Sequence, residues 1–262
     1  MLSLRKKVVL LLRDSIAFLV YLVKVIFPRK KADQVTLVYH SVGRVAPEQD
    51  PQRINLLPEM FERHLQQIVK YKHKVKITFD DGYANTFKNA FNLLEKYQLS
   101  ATVFLITDFI DGKISAEQFA GCGFKQRPLS WDEIRRMDQA GIRFGSHTKT
   151  HPLLSALSKT EIERELLGSK NRIEQQLGHQ IDSFAYPFGG YGSFNGLTKQ
   201  VLKNAGYGCA YINMMGSNRF KPDDHFTLRR VRVYGEDGPG RLKMKLAGAY
   251  DWVDKLCSKM KI

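Results

Sequence analysis

The sequence predicts an α/β barrel, with parallel strands inside and helices outside, preceded by an amphipathic membrane-associated helix. Three observations predict it. Strand-like and helix-like runs alternate through the middle of the chain, the pattern of a parallel sheet wrapped by helices. Seven strand-like runs suffice for a closed or nearly closed barrel. The candidate polar groups all follow their strands at the same end, where such a barrel carries its chemistry.

The strand-like runs are 35–39, 75–79, 101–106, 142–145, 183–186, 208–212 and 226–234. Helix-like runs lie near 57–72, 84–98, 131–140, 159–178 and 195–205. Two of them open with capping boxes, Ser130 with Glu133 and Ser158 with Glu161, in which hydroxyl and carboxylate satisfy the free N–H groups of the first turn. Residues 32–240 therefore read as one barrel domain. Residues 241–262 form an amphipathic segment with Leu242, Leu246, Ala249, Val253, Leu256 and Met260 at helical spacing. It reads as a helix capping the domain; the alternative is a second membrane-facing surface with Tyr250 and Trp252 near the interface.

The 262 residues carry 41 Lys and Arg against 26 Asp and Glu, a net +15. Residues 1–31 hold eight Lys and Arg against one Asp, a net +7, and residues 241–262 hold a net +4. Charge gathered at the ends fits an anionic membrane surface. A nucleic-acid interface would interleave it with aromatics on the folded surface, so no nucleic-acid partner is expected. Residues 8–27 are apolar but broken by Arg13, Asp14 and Lys24. The longest uncharged run, 15–23, is short of the ~20 residues that cross a bilayer. On a helical wheel Lys6, Lys7, Arg13, Asp14 and Lys24 fall within about 120°. The expectation is a helix lying in the membrane plane with this strip facing water, followed by Arg29, Lys30 and Lys31 at headgroup level. A tilted anchor with Lys24 snorkelling is the alternative; an unbroken signal-peptide core and cleavage site are absent. Cys122, Cys209 and Cys257 show no paired spacing and read as free thiols. Free thiols, with basic residues on both sides of the apolar segment, favour the cytoplasmic face over the periplasmic one.

Two groups of residues carry the chemistry. Thr78-Phe79-Asp80-Asp81-Gly82-Tyr83 puts adjacent carboxylates at a strand end, where they repel unless a cation bound by one leaves the other free as a base. Ser146-His147-Thr148-Lys149-Thr150-His151-Pro152 offers two histidines four apart, able to share one ion on a helical turn. One carboxylate and two imidazoles leave an open position, as in catalytic zinc sites.

These two motifs, followed by Phe184-Ala185-Tyr186-Pro187-Phe188-Gly189, resemble the polysaccharide deacetylase family, the NodB-homology carbohydrate esterases, over roughly residues 34–234. The resemblance implies a distorted (β/α)7 barrel, Asp80 as base, and one divalent metal, zinc, held by Asp81, His147 and His151. The family's late Leu-x-His acid motif is missing from Phe226-Thr-Leu228-Arg229-Arg230-Val231. The early Val38-Tyr39-His40-Ser41-Val42-Gly43 resembles instead the Tyr-His element of the poly-N-acetylglucosamine deacetylase branch, which implies His40 as the acid, with His225 as the fallback. A backbone N–H within 186–189 is expected to hold the oxyanion, Trp131 to wall the sugar, and Arg229 or Arg230 to orient Asp80. His64, His73 and His179 read as solvated. The expected reaction removes an acyl group, acetyl in the first instance, from an amino sugar of a surface glycan or its polyprenyl-phosphate-linked precursor. The rivals are another metal hydrolase on a similar barrel and an inactive, membrane-bound glycan-binding relative.

Overall fold

The structure is a computed structural model that describes residues 4–26, 34–120, 126–218 and 224–253. In chain order the elements are α1 (Leu4–Ile26), β1 (Val35–Tyr39), β2 (Ser41–Val42), β3 (Asn55–Leu56), α2 (Pro58–Ile68) and β4 (Val75–Phe79). Then come a π-helical turn (Thr86–Phe91) running into α3 (Asn92–Lys96), β5 (Thr102–Leu105), α4 (Thr107–Ile110), α5 (Ala116–Ala120), α6 (Trp131–Gln139) and β6 (Arg143–Ser146). The chain continues through α7 (Lys159–Leu177), β7 (Ser183–Ala185), α8 (Gly196–Asn204), β8 (Cys209–Ile212), β9 (Leu228–Arg229), β10 (Val231–Arg232) and α9 (Pro239–Leu246). Both expected capping boxes form, and Asn195 with Thr198 makes a third at the start of α8.

Eight parallel strands form one sheet in the order β10-β1-β4-β5-β6-β7-β8-β9. All seven expected strand runs are present. The eighth strand arises because the run 226–234 changes partner at Arg230: β9 pairs with β8 and β10 pairs with β1. One segment thus serves both edges, and the barrel is nearly closed. Side chains alternate along the strands. Val103 and Leu105, Ala210 and Ile212, and Phe184 join the large cluster shared with the helices, while Phe104, Tyr211, Ala185 and Leu228 form a separate cluster on the opposite, inner face.

The ends of the chain depart from expectation. The charged strip of α1 faces protein. Asp14 accepts from Arg241 at 2.7 Å and from the Tyr250 hydroxyl at 3.1 Å, the Arg13 guanidinium lies 5.5 Å from the Tyr250 ring centroid, and Lys24 donates to the Gly248 carbonyl. Ala17 is buried with Ala249 and Tyr250. The wheel located the strip correctly but could not show that the C-terminal segment supplies partners for it. Among the described residues no helix is long and apolar enough to cross a membrane. The side chains of Lys6 and Lys7, and the whole of Arg29, Lys30 and Lys31, lie outside the described residues. Of the expected C-terminal helix, α9 ends at Leu246 and Gly248 turns the chain with φ +68°, so Tyr250 is buried under α1, and Leu256 and Met260 lie outside the described residues. His64 is buried, contrary to expectation: it bonds the Tyr39 hydroxyl at 3.2 Å and the Asp237 carbonyl at 2.7 Å, tying α2 to β1 and to the approach to α9.

Candidate metal centre and active site

The parallel barrel delivers the candidate residues to one end. Asp80 and Asp81 follow β4, His147 follows β6, Tyr186 follows β7 and His40 follows β1. Sheet bonding fixes the exits: the Asp80 amide donates to the Tyr39 carbonyl at 3.0 Å and the His147 amide to the Leu105 carbonyl at 2.9 Å. Asp81, His147 and His151 each present a ligand atom, all within 4.8 Å of one another. Nδ1 of His147 bonds the Ala185 carbonyl at 2.8 Å, so Nδ1 carries the proton and Nε2, 3.6 Å from Asp81 Oδ1, is left to bind a metal.

The two histidines do not share a helical turn, as the spacing suggested. The stretch 147–151 is irregular, and Thr148 and His151 take φ of +69° and +62°. The His151 amide donates to Thr148 Oγ1 at 2.9 Å, which brings the two imidazole centroids to 4.8 Å. Glu165 on α7 holds this turn by accepting from the amides of Lys149 and Thr150 and from the Thr150 hydroxyl, at 2.8–3.0 Å. Four of the six described non-glycine residues with positive φ lie at this end of the barrel: Asp81, Thr148, His151 and Phe188. Such strain is held only where the surroundings over-determine it, and it clusters at functional sites. Gly82 (φ +84°) follows Asp81 in the left-handed region that favours glycine, and a Cβ there would press on the side-chain ends of Ile110 and Leu105 at 2.9 and 3.0 Å.

Asp80 is fully buried and grips Arg230 through two hydrogen bonds of 2.6 and 2.7 Å. Arg230 is itself fully buried on the inner face, with its guanidinium 5.4 Å from the Phe104 ring centroid and 5.9 Å from that of Tyr211. Burial alone would raise the pKa of Asp80; the positive charge of Arg230 outweighs it and holds the carboxyl well below the usual range. Asp81 goes the other way. Burial, then the charge of Asp80, push it up to about 7, against a hydrogen bond from the Tyr83 hydroxyl. Burial also lowers His147 and His151, so both are neutral at neutral pH. A carboxyl forced toward its protonated form beside two neutral imidazoles is a donor set short of one cation, and the residues therefore fit a divalent metal.

A sequence model of polysaccharide deacetylases matches residues 68–210. The chain belongs to the polysaccharide deacetylase family. It is 30% identical over 159 residues to YxkH of Bacillus subtilis strain 168, covering 61% of this chain and 51% of that protein. It is also 30% identical over 144 residues to a poly-β-1,6-N-acetyl-D-glucosamine N-deacetylase of Staphylococcus aureus strain MRSA252, covering 52% of this chain and 46% of that one. The chain thus spans about half the length of these curated relatives. Among solved structures, the Streptococcus pyogenes deacetylase PplD in complex with acetate shares the fold, with a TM-score of 0.70 at 22% identity over 83% of this chain and 99% of that one.

The other expected site residues of this deacetylase-family chain divide. His40 joins the centre: it is buried, burial pushes its pKa down to about 3 against the charge of Asp80, and its buried Nδ1 has no hydrogen-bond partner among the described residues. His225 is exposed in the turn three residues before β9, at the end of the strand away from the site. Arg229 does not orient Asp80; it bonds the Met215 carbonyl at 3.0 Å and the Tyr191 hydroxyl at 2.9 Å, because neighbouring strand residues point to opposite faces. Trp131 takes its partners from the helix layer, donating to Asp111 at 2.9 Å beneath the Arg172 guanidinium, and is not among the residues brought to the centre. The Tyr186 side chain turns into the core, stacking on Phe194 at 4.2 Å and donating to the Phe226 carbonyl at 3.1 Å. Among the amides of 186–189, Tyr186 donates to Tyr211, Pro187 has no N–H, and Gly189 donates back to Pro187. That leaves the Phe188 amide without a partner among the described residues, next to a half-exposed ring 4.8 Å from His151. Gly189 (φ +69°) packs so closely that a Cβ would meet the Asn213 amide at 2.6 Å.

At this candidate site protons would compete with a divalent metal for Asp81. Zinc affinity is expected to rise about tenfold per pH unit as pH increases toward 7 and to level off above it, since the protonated carboxyl cannot bind. Chelator-competition titrations at several pH values check this. An affinity that does not change between about pH 5 and 7 would contradict a raised Asp81.

Proposed function

We propose that the chain is a zinc-dependent N-deacetylase of glycans built from N-acetylated amino sugars. The observation that carries the reading is the pairing of a three-residue ligand set, Asp81, His147 and His151, with a second carboxylate, Asp80, kept ionised by Arg230. The S. aureus relative bears the name of such an enzyme. A divalent cation at this site supplies a Lewis acid that acidifies a water and polarises an amide carbonyl.

The chain's own residues supply the rest. Asp80, ionised throughout the neutral range, takes the proton of the attacking water. Arg230 holds both carboxylate oxygens in place, so the base does not swing away. The Phe188 amide donates to the oxygen of the former carbonyl as it becomes an oxyanion. His40 rests neutral, and the negative charge developing beside it favours its taking up a proton from solvent. It gives that proton to the nitrogen as the carbon–nitrogen bond breaks, leaving a free amine and acetate, while the water's proton stays on Asp80 until it is released to solvent. The basic ends of the chain support a glycan still carried on polyprenyl phosphate as one form of this substrate.

The experiment is a metal analysis of the purified chain combined with acetate release from N-acetylglucosamine oligomers, before and after chelation and zinc return. Stoichiometric metal with chelator-sensitive, zinc-restored acetate release supports the reading, and metal-independent release or none overturns it. His40→Ala is expected to lower turnover roughly 10²–10⁴-fold with metal still bound, and His225→Ala to change it little. The reverse result would move the acid to the late strand.

A further inference from the structure

We propose that the outward face of α1 seats in the anionic leaflet of a lipid bilayer, with the helix lying in the membrane plane and its charged strip bolted to the enzyme. Eight of the fifteen exposed large hydrophobic residues among those described lie on this one helix. Leu12, Ile16, Leu19, Val23 and Ile26 follow one another at helical spacing and are between 45% and 67% exposed. Scattered exposed apolar residues need no explanation, but a contiguous stripe along a helix of about 35 Å is an interaction surface.

The side facing the protein explains the stripe. Asp14 pairs with Arg241 and Tyr250, Arg241 continues to Asp237, and Lys24 reaches Gly248 and Asp251. These polar contacts, together with Ala17, Val20 and Tyr21 packed against Ala249, Tyr250 and Met244, hold α1 to the body, so the exposed apolar stripe is not what attaches it. The helix keeps its charged strip inward and leaves its leucine stripe outside.

The charge selects the occupant. Residues 1–31 carry a net +7 and the whole chain +15, so a second copy would meet a like-charged surface, whereas an anionic bilayer offers an apolar interior beneath opposite charge. The orientation follows from the same contacts. A crossing helix would need its whole circumference free for lipid, but the strip of Arg13, Asp14 and Lys24 is committed to the body, and among the described residues no helix is long and apolar enough to span.

The test uses the full chain and vesicles of phosphatidylcholine with or without phosphatidylserine, read by co-sedimentation. Wild type is expected to bind the anionic vesicles, more weakly as salt rises. Leu12→Glu combined with Leu19→Glu is expected to bind at least about tenfold more weakly with unchanged thermal unfolding, because both side chains are exposed. Acetate release from soluble oligomers should be unaffected by that change, so docking and catalysis are scored separately. Absence of wild-type binding, equal binding by the variant, or a wild-type dimer that the variant dissolves would each overturn the proposal. Protease cleavage of the N-terminus only from the side opposite the barrel would show a spanning helix and overturn it as well.

Discussion

Replacing Asp80 with asparagine is expected to slow turnover roughly 10²–10⁴-fold and to destabilise the fold by about 3–5 kcal/mol, while the metal stays bound. An amide cannot accept the proton of water, which accounts for the rate. The stability loss comes from Arg230, whose guanidinium is fully buried and would face an amide in place of the carboxylate that neutralises it. Steady-state kinetics, denaturant unfolding and metal analysis check the three parts. Adding Arg230→Met to Asp80→Asn should restore much of the stability and none of the turnover, because the lone buried charge is gone but the base is still missing. Arg229→Met should leave both near wild type. The pair also sets a pH dependence. Since the folded pKa of Asp80 lies below its unfolded value, the stabilisation is present above the ordinary carboxylate range and is lost as pH falls through the folded value. Near-normal turnover in Asp80→Asn would remove Asp80 from the role of base.

His151→Ala is expected to weaken zinc binding more than about 100-fold, since loss of an outer partner of a ligand alone costs about 10–100-fold, and to abolish most of the metal-dependent activity. The fold should survive. The main-chain turn at 151 is held by Thr148 Oγ1, and the neighbouring amides are held by Glu165, so an alanine there retains the backbone contacts. Elemental analysis at matched thermal stability separates a missing ligand from a damaged protein. Full metal occupancy in the variant would show that His151 is not a ligand. Glu165→Gln provides a graded comparison: it keeps an acceptor for the turn but loses the charge, and zinc affinity should fall less than in His151→Ala.

Much of the barrel end was legible because it depends on local rules. Strands ended where polar pairs began, and a parallel sheet must gather strand C-termini on one side. Asp80, Asp81, His40, His147 and His151 therefore fall into place once β1, β4 and β6 are recognised. Glu165 was not legible. It is one of several acidic residues on α7, and only the packing of that helix on β6 brings it under the amides of Lys149 and Thr150. For Trp131 the converse holds, since a tryptophan near a motif does not reveal that Asp111 and Arg172 take its indole as a partner.

The sequence by itself determined the alternation of strands and helices, the two capping boxes, the order of the chemical motifs and the polar strip of α1, because each rests on neighbours within a few residues. Only the tertiary structure decided which of two adjacent arginines serves the active site. Phe226-Thr-Leu228-Arg229-Arg230-Val231 offers both equally, and the choice follows from which face of the segment the barrel closes around: Arg230, like Leu228, points inward and reaches Asp80, while Arg229 points the other way, to Met215 and Tyr191. The same holds for α1. Periodicity defined its two faces, but which face meets the protein depended on Arg241 and Tyr250, more than two hundred residues away, which solvate Asp14 and leave the leucines outside.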